Sequence, residues 1–295
     1  MEGCEVRKKE SKPLLFRHNY QCYKRSCTYQ DQWVLLRCKI GRRLISNHSK
    51  INFMKVQALM MPVLLSACLL VSAAVKSQQK ISGNGSIKKE TRDAKQPFNE
   101  ISVSGEYKVY ISQGSTQSIE LEAESNLLPY IETEIQGDDL RIRVKRGHNI
   151  RPSREVVVRI TVVKLEGIAS SGSSHFSSQG TLKGNSLEIA MSGKSVTALD
   201  LQYDKLEVSI SGSGKVTLNG QSDKTEIAIS GAADIFAADM KSRDVEVAIS
   251  GSGNAHVQAT GKLEVAISGS GNVKYRGSPA SVEQAVSGQG RIVKE

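Results

Sequence analysis

Beyond residue 68 the chain contains no cysteine. Its five cysteines are Cys4, Cys22, Cys27, Cys38 and Cys68, so the body needs no disulfide and binds no metal through thiolate. Aromatic residues are scarce, at 5 % of the chain, which leaves few rings for stacking on sugars. No helical hydrophobic period is written after Leu165. The Gly-rich corners there therefore lack the helix N-terminus that a phosphate cradle needs, and neither G-x-x-x-x-G-K-S/T nor G-x-G-x-x-G occurs at them. A calcium-binding nonapeptide repeat is excluded by the wrong period and the missing Asp; Asn254 and Asn272 only echo it. No G-x-S-x-G elbow is present, the corner serines have no histidine partner, and His148, His175 and His256 are scattered without metal-ligand spacing. Catalytic, cofactor-binding and metal residues are accordingly expected to be none, and no cofactor is expected.

Net charge is scarce too, once the front of the chain is set aside. The net charge is +10 over 295 residues, but residues 1–53 hold twelve Lys/Arg against four Asp/Glu, and the remainder holds 28 against 26. The basic balance thus belongs to the front, and the nearly neutral body gives no reason to expect a nucleic-acid partner.

From Met54 the sequence reads MKVQALMMPVLLSACLLVSAAVKSQQK. A short positive start, an apolar stretch from Ala58 to Val75 and small residues at Ser72-Ala73-Ala74 have the anatomy of a secretory signal peptide. Residues 54–75 are read as that signal, and residues 1–53 as an extension upstream of the true start at Met54. The competing reading is a signal anchor with a basic cytoplasmic tail, because the apolar stretch is just long enough to span a bilayer. Leu65-Ser66-Ala67-Cys68 also has the form of a lipobox, so lipidation at Cys68 competes with simple cleavage near Ala74. Either way the body is expected to be exported, to the periplasm, the outer membrane surface or outside the cell. Its membrane link is then only the signal peptide or the lipid.

What is present is repetition. Residues 76–97 are polar, rich in Lys, Ser and Gly, and are expected to be a flexible linker. From Phe98 to Lys164 come alternating, β-branched runs broken by Gly, Asn and Asp, which predict a strand-rich N-terminal sheet region. Over 165–295 a Ser-Gly step recurs at Gly172, Gly193, Gly212, Gly231, Gly251, Gly269 and Gly288, a period of about 19 residues. Fixed periodicity of this size signals stacked supersecondary units. Each unit has a six-residue strand, a Gly-rich corner and a second short strand. In one of them Leu263, Val265 and Ile267 share a face, with Glu264, Ala266 and Ser268 on the other. The prediction is an all-β fold, a β-helix or β-solenoid, with Ile210, Ile229, Ile249 and Ile267 stacked in its core. Glu188, Glu207, Glu226, Glu246, Glu264 and Glu283 fall in one slot of successive repeats, and Lys205, Lys224 and Lys262 lie two residues earlier. Like charges about 4.8 Å apart in water repel by roughly 0.9 kcal/mol, which interleaved lysines offset. That pattern predicts a solvated, charge-mixed face rather than a pair of catalytic carboxylates.

The most site-like segment is KRGHNIRPSR, residues 145–154. Lys145, Arg146, His148, Arg151 and Arg154 are candidate ligand-binding residues for an acidic glycan or lipid headgroup held by charge.

FNEISVSGEYKVYISQG, the Gly137-Asp138-Asp139-Leu140 turn and the repeated ISGSG corners together resemble the auto-transporter adhesin family with the head GIN domain, exported proteins known chiefly from Bacteroidetes. Phe98, Ile101, Val103, Gly105, Val109 and Ile111 carry the likeness, which covers roughly residues 98–290. The resemblance implies a right-handed β-helix-like fold in the cell envelope or outside the cell; with the missing catalytic motifs, the expected role is adhesive or structural and not enzymatic. It brings no catalytic or binding residues with it. Glycans and envelope proteins are the partners it suggests, and the oligomeric state stays open. Two other readings compete: a carbohydrate-active β-helix enzyme (polysaccharide lyase or hydrolase), and an envelope accessory or sensor module that binds another protein. Acids clustered in a long groove would favour the enzyme, and smooth charge-mixed faces a binding module.

Overall fold

Alternation at period 2 hides every second side chain from water, and here the hidden set of each repeat finds the hidden set of the next. The computed structural model describes residues 79–295. The extension 1–53, the signal segment 54–75 and Cys68 lie outside the described residues. Among those described there is no α-helix, only a single 3-10 turn at Leu128–Tyr130. No helix among them is long and apolar enough to cross a membrane.

The repeats form long strands that bend around corners: β11 (His175–Gly193), β12 (Val196–Gly212), β13 (Lys215–Gly231), β14 (Asp234–Gly251) and β15 (Asn254–Gly269). Each pairs in parallel with the next. The second half of each strand makes a first face, and the first half of each makes a second face. On the first face Ile210, Ile229, Ile249 and Ile267 are register partners, each at most 3 % exposed. The fold is thus the predicted β-solenoid, with its core a set of stacked columns.

The corner between faces is made by the recurrent glycine. Gly251 has φ +128°, a conformation L side chains rarely adopt, and a Cβ there would stand 2.4 Å from the Gly231 carbonyl oxygen of the preceding coil. Glycine is required on both counts. Past it, the Ser252 and Asn254 amides donate to the Gly231 and Ala233 carbonyls, both at 2.9 Å, so the ladder continues around the bend. Inward hydroxyls of three residues satisfy one another in the buried cluster of Ser222, Thr225 and Ser242, with contacts of 2.7 to 3.0 Å.

The N-terminal sheet region is continuous with the coils. β3 (Glu100–Gly105) pairs in parallel with β10 (Gly167–Gly172), and β4 (Lys108–Gln113) pairs with the start of β11. Together they form the first coil. Beyond it, β5 (Ser118–Glu124) joins β9 (Val157–Val162) antiparallel on the second face, while β6 (Ile131–Gln136) joins β7 (Asp139–Val144) antiparallel on the first. These reversals close the N-terminal end of the stack.

Residues 76–97, expected as a flexible linker, contain two strands instead. β1 (Gln79–Ser82) pairs with β8 (His148–Arg151), and β2 (Ile87–Arg92) forms the edge strand beside β5. Their polar composition suits a strand with one face in water, and Lys88 and Lys89 guard that edge. Composition alone reads such a strand as linker. At the other end the final described coil is β16 (Asn272–Arg276), β17 (Ser281–Gly288) and β18 (Arg291–Lys294), where Val282 and Val286 are 39 % and 47 % exposed.

Candidate functional site

Solvent meets the first face through three columns of outward side chains. One is the glutamate ladder, with Glu188, Glu207, Glu226, Glu246, Glu264 and Glu283 in exact register. Lysines interleave it as expected: Lys205 lies 3.4 Å from Glu207 and 3.5 Å from Glu226, and Lys262 lies 3.1 Å from Glu283 and also pairs with Glu264. The Lys224 hydrogen bond holds the Glu226 carboxyl below its ordinary value, and Lys224 is correspondingly raised. Asp244 replaces a lysine in that column; the Arg243 side chain holds its carboxyl below the usual range. Lys205, Lys224, Lys262 and Arg243 offset part of the charge of these acids, and the ladder is a charge-mixed surface.

The next two columns carry only small residues. One runs from Ser102 to Ala285 with Ala or Ser in every coil, and the other from Ser104 to Ser287 with Ser throughout. Because nothing stands up from them, a trough of about 1220 Å³ lies along the face. It crosses nine strands, from β7 to β17, which at about 4.8 Å per step is about 38 Å.

At its β7 end the trough meets Arg141 and Arg143. Arg141 pairs with Asp139 at 2.7 Å, and Arg143 with Glu132 and Glu134 at 3.3 and 3.0 Å. Lys145 and Arg146 extend this group, lining with the two arginines and with Glu132, Glu134 and Gln136 a second hollow of about 400 Å³. Two of the five candidate residues are therefore brought together beside the trough. The other three are elsewhere. His148 opens β8, its ring 4.9 Å from that of Tyr130 and its Nδ1 3.2 Å from the Arg146 carbonyl oxygen. Arg151 closes the same strand, and exposed Arg154 follows it in the connection to β9. Residues 145–154 are thus a turn, a strand and a connection, which separates the candidates. Arg141 and Arg143 were missed, although the alternation in DLRIRVK puts them on one face with Lys145.

Tyr107 and Tyr203 are buried, and Tyr110 and Tyr275 are half-buried. Burial raises both phenols of the buried pair, and the Tyr203 hydroxyl donates to the Leu165 carbonyl at 3.0 Å. Among the described residues no group of three or more His, Cys, Asp or Glu is placed to hold a metal ion.

Comparison with known proteins agrees with this geometry. The family described as "Putative auto-transporter adhesin, head GIN domain" matches residues 97–279, and the chain belongs to that family. No curated protein matches. Among solved structures, a "putative adhesin" from Bacteroides fragilis aligns with TM-score 0.70 and 22 % identity, over 73 % of this chain and 100 % of its own. A "putative lipid binding protein" from Parabacteroides distasonis aligns with TM-score 0.62 and 25 % identity, over 74 % and 100 %. A "putative adhesin" from Parabacteroides merdae aligns with TM-score 0.59 and 27 % identity, over 74 % and 99 %. None of these descriptions names an enzyme.

Proposed function

We propose that the protein is an exported, non-catalytic binding protein of the cell envelope with an adhesive role, holding an extended ligand along the first face. The trough carries this reading: it is continuous over nine strands and lined by Ala and Ser. An extended chain can lie in it without moving any side chain, so little ordering cost opposes binding. Lys145 and Arg146, beside the ion-paired Arg141 and Arg143, would meet an acidic group at the β7 end.

A glycan array, run beside vesicles of neutral and anionic lipid, tests this reading. Ligand capture by the native protein and its loss in Ala248→Trp, which fills the trough at mid-length, is the expected result. Equal capture by both proteins would remove the trough from the function.

An acyl chain is a second occupant, favoured by the alanine methyl groups of the trough and by the description of the Parabacteroides distasonis neighbour as "putative lipid binding protein". Vesicle binding without glycan binding would select it.

A further inference from the structure

The second face carries a different surface. Its outward central column runs through Ser177, Ala198, Thr217, Phe236, His256 and Lys274 by strand register. Small residues suffice in the early coils, yet one coil writes phenylalanine outward, 37 % exposed. Phe236 and His256 stack along the column with ring centroids 5.4 Å apart and planes at 26°. The Lys215 ammonium sits 4.9 Å from the Phe236 centroid, within cation–π range. His256 of the next coil and Lys215 of the preceding one thus occupy the faces of the Phe236 ring, and the apolar edges of the stacked rings are what solvent meets.

Two residues earlier in each strand, and so on the same face, a polar column runs beside the rings through Lys215, Asp234, Asn254, Asn272 and Arg291. Asn254 Nδ2 donates to Asp234 Oδ1 at 2.8 Å, and Asn272 Nδ2 donates to Asn254 Oδ1 at 3.0 Å. The chain of amides is thereby oriented before any ligand arrives, while each member keeps polar capacity unused by its neighbour. Between the two columns lies a cleft of about 420 Å³. Exposed Lys274 lines it, and the Glu295 carboxylate lies 3.4 Å from Lys274 and 3.0 Å from Arg276. Lys215, Lys274 and Arg291 outnumber Asp234 and Glu295 around the rings.

Apolar ring edges beside planar, pre-oriented amides and a carboxylate form a chemistry that suits a pyranose. The C–H face of the sugar rests against the ring edges, and vicinal hydroxyls take the amide and carboxylate groups in pairs. The surplus of cations selects a sugar that bears a carboxylate. We propose that the cleft between Phe236, His256, Asp234 and Asn254 is a binding subsite for an acidic sugar unit of a glycan, with Lys274 and Arg291 facing the sugar carboxylate. This goes beyond the trough of the first face, is formed by other halves of the same strands, and rests on the reading of the protein as a binding protein.

Titration of the purified protein with uronate-containing and matched neutral oligosaccharides tests it. The native protein should bind the acidic series more tightly. Phe236→Ala should weaken that binding by about tenfold or more, Phe236→Trp should retain it, and Lys274→Gln should abolish the preference for acid over neutral sugars. Glu246→Ala on the glutamate ladder should change none of this, and circular dichroism should show unchanged β structure in every variant. Binding of acidic sugars that survives Phe236→Ala overturns the subsite; if that surviving binding is lost in Ala248→Trp, the trough reading stands while the subsite falls. Capture of an envelope protein with no oligosaccharide binding also overturns it. Absence of every ligand in the native protein would sink the binding-protein reading as well.

Discussion

The buried Glu124 carboxylate accepts both the amide and the hydroxyl of Ser153, at 2.8 and 2.7 Å. It also accepts the Gly85 amide, so one side chain at the end of β5 ties the turn between β1 and β2 to the connection after β8. A side chain on Gly83 would collide with it, since a Cβ there would lie 1.9 Å from Oε2.

These donors, with the Ser153 hydroxyl foremost, hold the Glu124 carboxyl below its ordinary value of 4.5. A carboxyl with a lowered folded-state value contributes stability that is fully present above the unfolded value and is lost as pH falls through the folded one. Glu124→Gln should therefore be less stable than the native protein at pH 7, and the gap should narrow below about pH 4.5. Thermal melts of both proteins from pH 7 to pH 3 check this; a gap independent of pH would show that the charge plays no part.

Truncation of the core column should be costly and that of the ladder cheap. Ile249→Ala, at a position 2 % exposed, should lose about 2–5 kcal/mol. Glu246→Ala, on the outward side of the same strand, should change stability by no more than about 0.5 kcal/mol. Urea denaturation measures both, and equal losses would mean that the faces are inverted.

Gly251→Ala combines two faults, φ +128° and a Cβ placed 2.4 Å from the Gly231 carbonyl oxygen. The backbone strain alone costs about 1–3 kcal/mol, and the clash adds to it. The variant should melt well below the native protein, whereas Ser252→Ala, one residue on and exposed, should melt with it.

Processing is checked by intact-mass analysis of the native protein. An N-terminus between Cys68 and about Gln79, with nothing from residues 1–53, is the expected outcome. A peptide containing Trp33 in the producing organism would refute it.

The coils were legible in the sequence because their signal is doubled: period 2 gives the strand and a period of about 19 gives the stack. Ile210, Ile229, Ile249 and Ile267 fall in one column by counting alone, and so do the glutamates. β1 and β2 were not legible, since QKIS and IKKETR hold little apolar pattern and owe their order to partners far along the chain, β8 and β5. The cationic group at the trough end was half legible. Lys145 and Arg146 stand out in a charge run, but Arg141 and Arg143 read as ordinary outward strand residues. The Phe236–His256 stack was invisible for a plainer reason: the rings are 20 positions apart, and only the exact register of β14 on β15 makes them neighbours.

That register has a further consequence. Equivalent residues meet from coil to coil across β12, β13, β14 and β15, so gain or loss of one whole coil leaves every column unbroken. Length in such a molecule is a digital variable. A gene rearrangement that copies one repeat lengthens the trough and the charge ladder together by one step of about 4.8 Å, without a new core having to be invented. Reach toward a ligand can thus evolve by counting, while the chemistry of each step stays as it was.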